Sequence, residues 1–156
     1  MRRTYSIIAL VVAFGVAVQA ASIAFALGGV AHYIQGGGVL DKALVESRQA
    51  TFTGDLGFPI HGMVGGMVIP LAALALLVAA FFVHERGARL WAAIVLAVVA
   101  LQITLGYSIT DMPYLGLIHG ANALAVLLTA LYAALRVSRF APGRSTERAS
   151  SDAVAT

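Results

Sequence analysis

The sequence predicts an all-α fold, a four-helix transmembrane bundle made of two tandem helical hairpins. Of its 156 residues, 60% are hydrophobic and 11% are charged, whereas soluble domains carry about 25% charged residues. A water-soluble domain of this length could not bury so much apolar surface. The apolar residues fall into four runs, and each is long enough to meet the roughly 20 residues that a helix needs to cross a bilayer.

The first predicted helix covers about residues 5–31 and follows Arg2 and Arg3. Its start resembles a secretory signal, and Val18-Gln19-Ala20 resembles a cleavage site. The apolar run continues past that point to residue 31, which is longer than the apolar region of a signal peptide. We therefore expect a first helix that is retained in the membrane.

The other three predicted helices cover about residues 59–83, 90–109 and 115–135. None of these runs alternates between apolar and polar residues as a transmembrane strand would. The long loop before the second helix includes a predicted short helix at 39–50, with these charged side chains on its wet surface: Asp41, Lys42, Glu46 and Arg48. Residues 1–140 are thus predicted to form the transmembrane domain. Residues 141–156 show no periodic pattern of apolar residues and are expected to be a disordered cytoplasmic tail.

The basic residues predict the orientation of the helices. Eight fall on one side of the membrane, namely Arg2, Arg3, Arg86, Arg89, Arg136, Arg139, Arg144 and Arg148; Lys42 and Arg48 fall on the other. Because cytoplasmic loops carry an excess of Lys and Arg, both termini are predicted to be cytoplasmic. The net charge of +3 therefore reflects topology and does not indicate nucleic acid. The absence of cysteine excludes disulfides and thiolate metal sites.

An internal repeat supports two tandem hairpins. The second and fourth predicted helices begin alike, with Ile60-His61-Gly62 and Ile118-His119-Gly120. The first and third share Val18-Gln19 and Leu101-Gln102. The two glutamines either bond across the bundle or line a polar path.

The repeated histidines, His61 and His119, are the candidate functional residues, because an ionisable side chain inside a membrane is costly and marks function. Both should lie at a similar depth near the outer boundary. In an antiparallel bundle the second and fourth helices are diagonal across the core, so two imidazoles could hold a haem iron from opposite sides. The alternatives are interhelical hydrogen bonding without a cofactor, exposure to headgroups, and a site for another metal that includes His32.

Small residues surround the histidines. They are Gly62, Gly65, Gly66 and Gly120, with Gly28, Gly29 and Gly106 on the other two helices. They either leave room for a flat macrocycle or serve close helix packing. Asn122 lies on the face of the fourth helix that carries the histidine. It could hold the imidazole N–H or a haem propionate, or bond a neighbouring helix.

The segment Leu101-Gln102-Ile103-Thr104-Leu105-Gly106, followed by Leu117-Ile118-His119-Gly120, resembles one four-helix half of the haem A synthase family. The chain is also similar, over about residues 18–135, to small four-helix bacterial membrane proteins of unassigned function. The resemblance implies a multi-pass protein of the bacterial inner membrane. It also implies that His61 and His119 ligate a haem b.

The chain departs from that family at several points. Gly62 stands where the family has an arginine, residues 57–60 lack its glutamate, and the cysteine pair of the outer loop is missing. These differences argue against haem A synthesis by this chain. The expected function is haem b binding, in electron transfer or haem handling. The alternative is a non-enzymatic accessory subunit of a larger, respiratory-type membrane complex. The expected partners are the lipid bilayer and haem, with a membrane protein or a second copy of the chain left open, and no nucleic acid.

Overall fold

A computed structural model of the protein describes residues 1–47 and 51–139, in which all regular structure is helical. Four helical spans are long and apolar enough to cross a membrane, as predicted, so the chain is a multi-pass membrane protein. They are Arg2–Gln35, Gly57–Ala80, Ala88–Ser108 and Leu115–Arg139, named here the first to fourth spans. The predictions for Arg48 and for residues 141–156 lie outside the described residues.

The first helix extends beyond its predicted run of 5–31 at both ends, and the fourth extends beyond its predicted run of 115–135 at one end. The second and third begin two residues earlier than predicted and end at Ala80 and Ser108, before the predicted 83 and 109. The first span begins at Arg2 and ends at Gln35, so it includes polar residues at both ends of the predicted run. The fourth continues to Arg139 in the same way. Backbone hydrogen bonds can continue into the headgroup region, where polar side chains are solvated. The length of an apolar run reflects only the thickness of the hydrocarbon core. The predicted loop helix is present among the described residues as Lys42–Ser47, and it begins three residues later than predicted.

Each span packs against two others. The first and third spans each contact both the second and the fourth. The second and fourth spans therefore lie diagonally across the bundle, as predicted. Small side chains such as Ala9, Ala73 and Ala130 are fully buried between the helices, which allows the close backbone approach typical of membrane bundles. The outer surface is apolar, and Leu71 is 62% exposed, as lipid contact requires.

One end of the bundle, named here the arginine end, is held by polar contacts. The buried hydroxyl of Tyr5 donates to the carbonyl of Ala88 at 3.0 Å. Arg2 forms an ion pair with Glu85. The guanidinium of Arg136 donates to the Arg86 carbonyl at 3.1 and 3.2 Å. These contacts connect the first and fourth spans to the turn between the second and third spans and to the start of the third.

At the opposite end, the loop folds back along the first span through glycines. A Cβ added to Gly29 would lie 1.8 Å from the backbone oxygen of Thr53, and one added to Gly57 would lie 2.2 Å from that of Ser22. Backbone atoms cannot move away as a flexible side chain can, so these positions require glycine. Because Gly57 begins the second span, this contact fixes where that span starts against the first.

Candidate functional site

The two repeated histidines meet at the same depth. His61 and His119 are each the fifth residue of their spans, the second and the fourth. Their ring centroids are 6.4 Å apart, with the ring planes inclined by 51°. Both side chains are partly buried. The structure therefore brings together the pair that the repeat predicted, at what is named here the histidine end of the bundle.

A π-helical turn at Val64–Val68 sets the register of His61. Buried positions of the second span recur at Ile69, Ala73 and Leu76. Continued backwards in a regular α-helix, that pattern reaches Gly62, seven residues before Ile69. The N–H of Ile69 instead bonds to the carbonyl five residues back. This accommodates one extra residue, about 100° of rotation, and moves the inward position from Gly62 to His61.

Pro70 accounts for the location of the π turn. Proline lacks an N–H, and its ring clashes with the carbonyl four residues earlier in a regular helix. That carbonyl belongs to Gly66, inside the turn. The fourth span has no proline there, and its buried Val126 follows His119 by seven residues in unbroken helix. Such π turns are frequent at functional sites.

His61 is held by Gln19 of the first span through two hydrogen bonds. The ring nitrogen Nδ1 of His61 lies 3.1 Å from the backbone oxygen of Gln19. The side-chain amide of Gln19 donates in return to the backbone oxygen of His61 at 2.9 Å. A Cβ on Gly65 would lie 2.7 Å from Oε1 of the same glutamine. The absence of a side chain at Gly65 therefore lets the glutamine lie between the two spans.

His119 is held by Gln102 of the third span. Its Nδ1 lies 3.1 Å from the backbone oxygen of Gln102. The ring also lies against Gly106, where an added Cβ would be 3.1 Å from Cε1 and 3.5 Å from Nδ1. Because Gly106 is one helical turn beyond Gln102, its missing side chain opens the approach to that carbonyl. The two glutamines that mark the repeat thus contact the two histidines that mark it.

Asn122 connects the third and fourth spans directly below His119. Its amide donates to the backbone oxygen of Val98 at 2.9 Å and to Oε1 of Gln102 at 2.7 Å. Both amide hydrogens are therefore used within the protein. Of the roles left open by the sequence, the structure shows the bond to a neighbouring helix. The expectation that glutamines bond across the bundle is confirmed at both positions.

These contacts leave one nitrogen of each ring available to a metal. A carbonyl oxygen can only accept, so Nδ1 carries a hydrogen in His61 and in His119, and in the neutral ring Nε2 then keeps its lone pair. Metal-ligating histidines commonly donate their other N–H in this way. A metal ion about 2.0 Å from each nitrogen requires centroids about 6 Å apart, because each nitrogen lies about 1.1 Å from its ring centre. The observed centroid separation of 6.4 Å is close to that distance.

The predicted glycines divide into two groups. Gly65 and Gly106 pack against Gln19 and His119, which is the helix-packing role. Gly62 and Gly120, each one residue after a histidine, have nothing within 4 Å of an added Cβ. Gly66 also has little around it, with the Tyr107 hydroxyl oxygen at 3.7 Å. A cleft of about 410 Å³ beside Gly66 runs along Met67, Pro70 and Leu74 and includes neither histidine.

His32 does not join the pair. It is exposed and lies with Tyr33 and Phe52 beside a separate hollow of about 430 Å³. Within residues 1–47 and 51–139, no group of three His, Cys, Asp or Glu side chains could hold a metal ion. The three-histidine metal site is therefore not formed by this part of the chain.

The close contact between Gly106 and the His119 ring allows a direct test of how that ring is placed. We expect Gly106→Val to displace the ring from the Gln102 carbonyl and to destabilise the protein by about 1–3 kcal/mol, as overpacking does. Thermal unfolding in detergent measures this. Gly120→Val is the matched control. It gives the same gain in helix propensity, but an added Cβ at this position has no other atom within 4 Å. Equal stability of the two variants would contradict the placement.

Sequence reasoning missed the backbone carbonyls of Gln19 and Gln102 and the π turn. The available signals for the turn were Pro70 and the double glycine at Gly65 and Gly66, the second of which lies four residues before the proline. Comparisons with protein-family models, with curated proteins and with solved structures find no match to this chain.

Proposed function

We propose that this chain is a haem b-binding integral membrane protein in which His61 and His119 ligate the haem iron from opposite sides. It acts in electron transfer or in haem handling. The observation that supports the proposal is the arrangement of the His61 and His119 rings. The ring centroids are 6.4 Å apart, and each Nδ1 is bonded to a backbone carbonyl, which leaves both Nε2 atoms for a metal.

The proposal includes a topology. The first and second spans form one hairpin, the third and fourth form another, and both termini are cytoplasmic. Arg2, Arg86 and Arg136 lie together at the arginine end, and the excess of basic residues supports a cytoplasmic location for that end. The histidine end then faces outward. The resemblance to bacterial proteins with the same markers favours the inner membrane of a bacterium.

The chain's own residues would bind and orient the cofactor. His61 and His119 would each supply one imidazole ligand to the iron, and an iron so ligated would favour electron transfer over the binding of a further ligand. Bound haem supplies a one-electron couple at its iron. Gln19 and Gln102 hold the two rings, and Gly62 and Gly120 keep side chains away from the backbone next to them.

The absorption spectrum of the purified protein tests the proposal. Full-length protein is extracted in mild detergent, loaded with haem, and measured oxidised and after dithionite. We expect a sharp Soret band and, on reduction, the narrow α band of a six-coordinate low-spin haem. Haem that is released on gel filtration, or a spectrum typical of five-coordinate iron, would count against bis-histidine ligation.

A second candidate is an accessory subunit whose histidines are structural. The bonds of His61 to Gln19 and of His119 to Gln102 favour it, since each connects two spans without any cofactor. This candidate predicts a colourless protein that purifies with a membrane complex. It also predicts that His61→Gln, which keeps a side-chain donor, preserves stability.

A further inference from the structure

We propose that Gln19 and Asn122 are positioning residues that hold His61 and His119 with Nδ1 protonated and Nε2 free before any cofactor binds. The inference rests on the proposed function for its purpose, since a ready-made ligand pair reduces the reorganisation needed when haem binds. The orientation itself is a property of the haem-free protein. It can therefore be measured separately from haem binding.

The first observation is that a side chain from each half of the bundle stabilises the histidine contact. The acceptors of the two Nδ1–H groups are backbone oxygens, so no substitution can remove them. What a substitution can remove is the contact that keeps each histidine opposite its carbonyl. In the first half that contact is the Gln19 amide, which bonds to the backbone oxygen of His61 at 2.9 Å.

The second half achieves the same result with a different residue. The position three residues after each histidine is Val64 in the second span and Asn122 in the fourth. Valine cannot bond to Gln19, whose amide is therefore free to reach the His61 backbone. Asn122 does bond to Gln102, at 2.7 Å, and to the Val98 backbone at 2.9 Å.

The two rings are therefore held by non-equivalent contacts. Gln19 forms a closed pair of bonds with His61, and it acts across the interface between two spans. Asn122 holds its own span one turn below His119 and immobilises the Gln102 side chain. Together with Gly106, this contact orients the second ring. Removing Gln19 should loosen His61 alone, and removing Asn122 should loosen His119 alone.

The first measurement uses haem-free protein with ¹⁵N-labelled histidine, reconstituted in lipid and observed by NMR. In the unsubstituted chain we expect His61 and His119 each to show the single tautomer with hydrogen on Nδ1. In Gln19→Leu the single-tautomer signature of His61 should be lost while that of His119 persists, and Asn122→Leu should give the reverse. Thr129→Val is the matched control, because Thr129 bonds only to carbonyls of its own span.

The second measurement is haem affinity, by titration of the same variants. Loss of a partner that orients a ligand typically costs about 10- to 100-fold in metal affinity, and we expect that loss for Gln19→Leu and Asn122→Leu but not for Thr129→Val. Unchanged tautomers in both leucine variants would overturn the positioning role, whatever the affinities. Both tautomers in the unsubstituted protein would overturn it as well. An unsubstituted protein that shows the single tautomer at both histidines and binds no haem would instead overturn the proposed function and leave the positioning role in place.

Discussion

His61→Ala and His119→Ala are each expected to remove six-coordinate haem from the protein. Under the proposed function each histidine would supply one ligand to the iron, so either substitution would leave the iron with a single imidazole. The affinity should fall by more than the roughly 10- to 100-fold that loss of a ligand's hydrogen-bonding partner costs. The Soret and α bands should change from the low-spin to the high-spin form. The measurement is haem content per protein together with the reduced-minus-oxidised spectrum.

The remaining histidines provide the controls. His32 and His84 are exposed, and neither belongs to the pair. His32→Ala and His84→Ala should retain haem and the low-spin spectrum. If only one of His61 and His119 proves necessary, bis-histidine ligation is wrong. Imidazole added to the His119→Ala protein should restore the low-spin spectrum, which separates loss of a ligand from loss of the fold.

Inserting one alanine after Gly66 is expected to abolish the histidine pair. The π turn at Val64–Val68 already accommodates one extra residue and so places His61 inward. A second extra residue rotates the start of the second span by about another 100°. His61 would then leave the Gln19 carbonyl. Haem should no longer bind in the six-coordinate form, and the NMR signal of His61 should lose its single tautomer.

Deleting Gly66 tests the same register in the opposite direction. In the shortened chain His61 lies seven residues before Ile69, the inward position of a regular α-helix. We therefore expect the deletion, combined with Pro70→Ala so that the regular helix is free of the proline clash, to retain the pair and its haem. Loss of haem in this variant and retention in the insertion would show that the register assigned to the π turn is wrong.

The sequence predicted the elements of the fold well because apolar length is a local property. Each of the four runs exceeds what is needed to cross the hydrocarbon core, and each is a span in the structure. The ends were less accurate. The first span extends from Arg2 to Gln35, beyond the predicted 5–31, because helical hydrogen bonding continues where polar residues meet water.

The candidate site was predicted in part. The repeat identified His61 and His119, and equal position in the second and fourth spans brings them within 6.4 Å. Gly65 was left open between a cofactor contact and helix packing, and it packs on the Gln19 side chain. Asn122 was left open between the cofactor and a neighbouring helix, and both of its amide hydrogens bond to the third span. A residue type restricts the partners it can have, but it does not select one.

By itself, the sequence determined that this chain crosses a membrane four times and that two matched histidines lie at one depth. Both conclusions follow from counting residues along a helix. The tertiary structure decided which atoms those histidines meet. The Gln19 and Gln102 carbonyls belong to other spans, and the inward position of His61 depends on a π turn that shifts the register by one residue. Such contacts depend on the rotation and separation of whole helices, which are set by packing between residues distant in the chain.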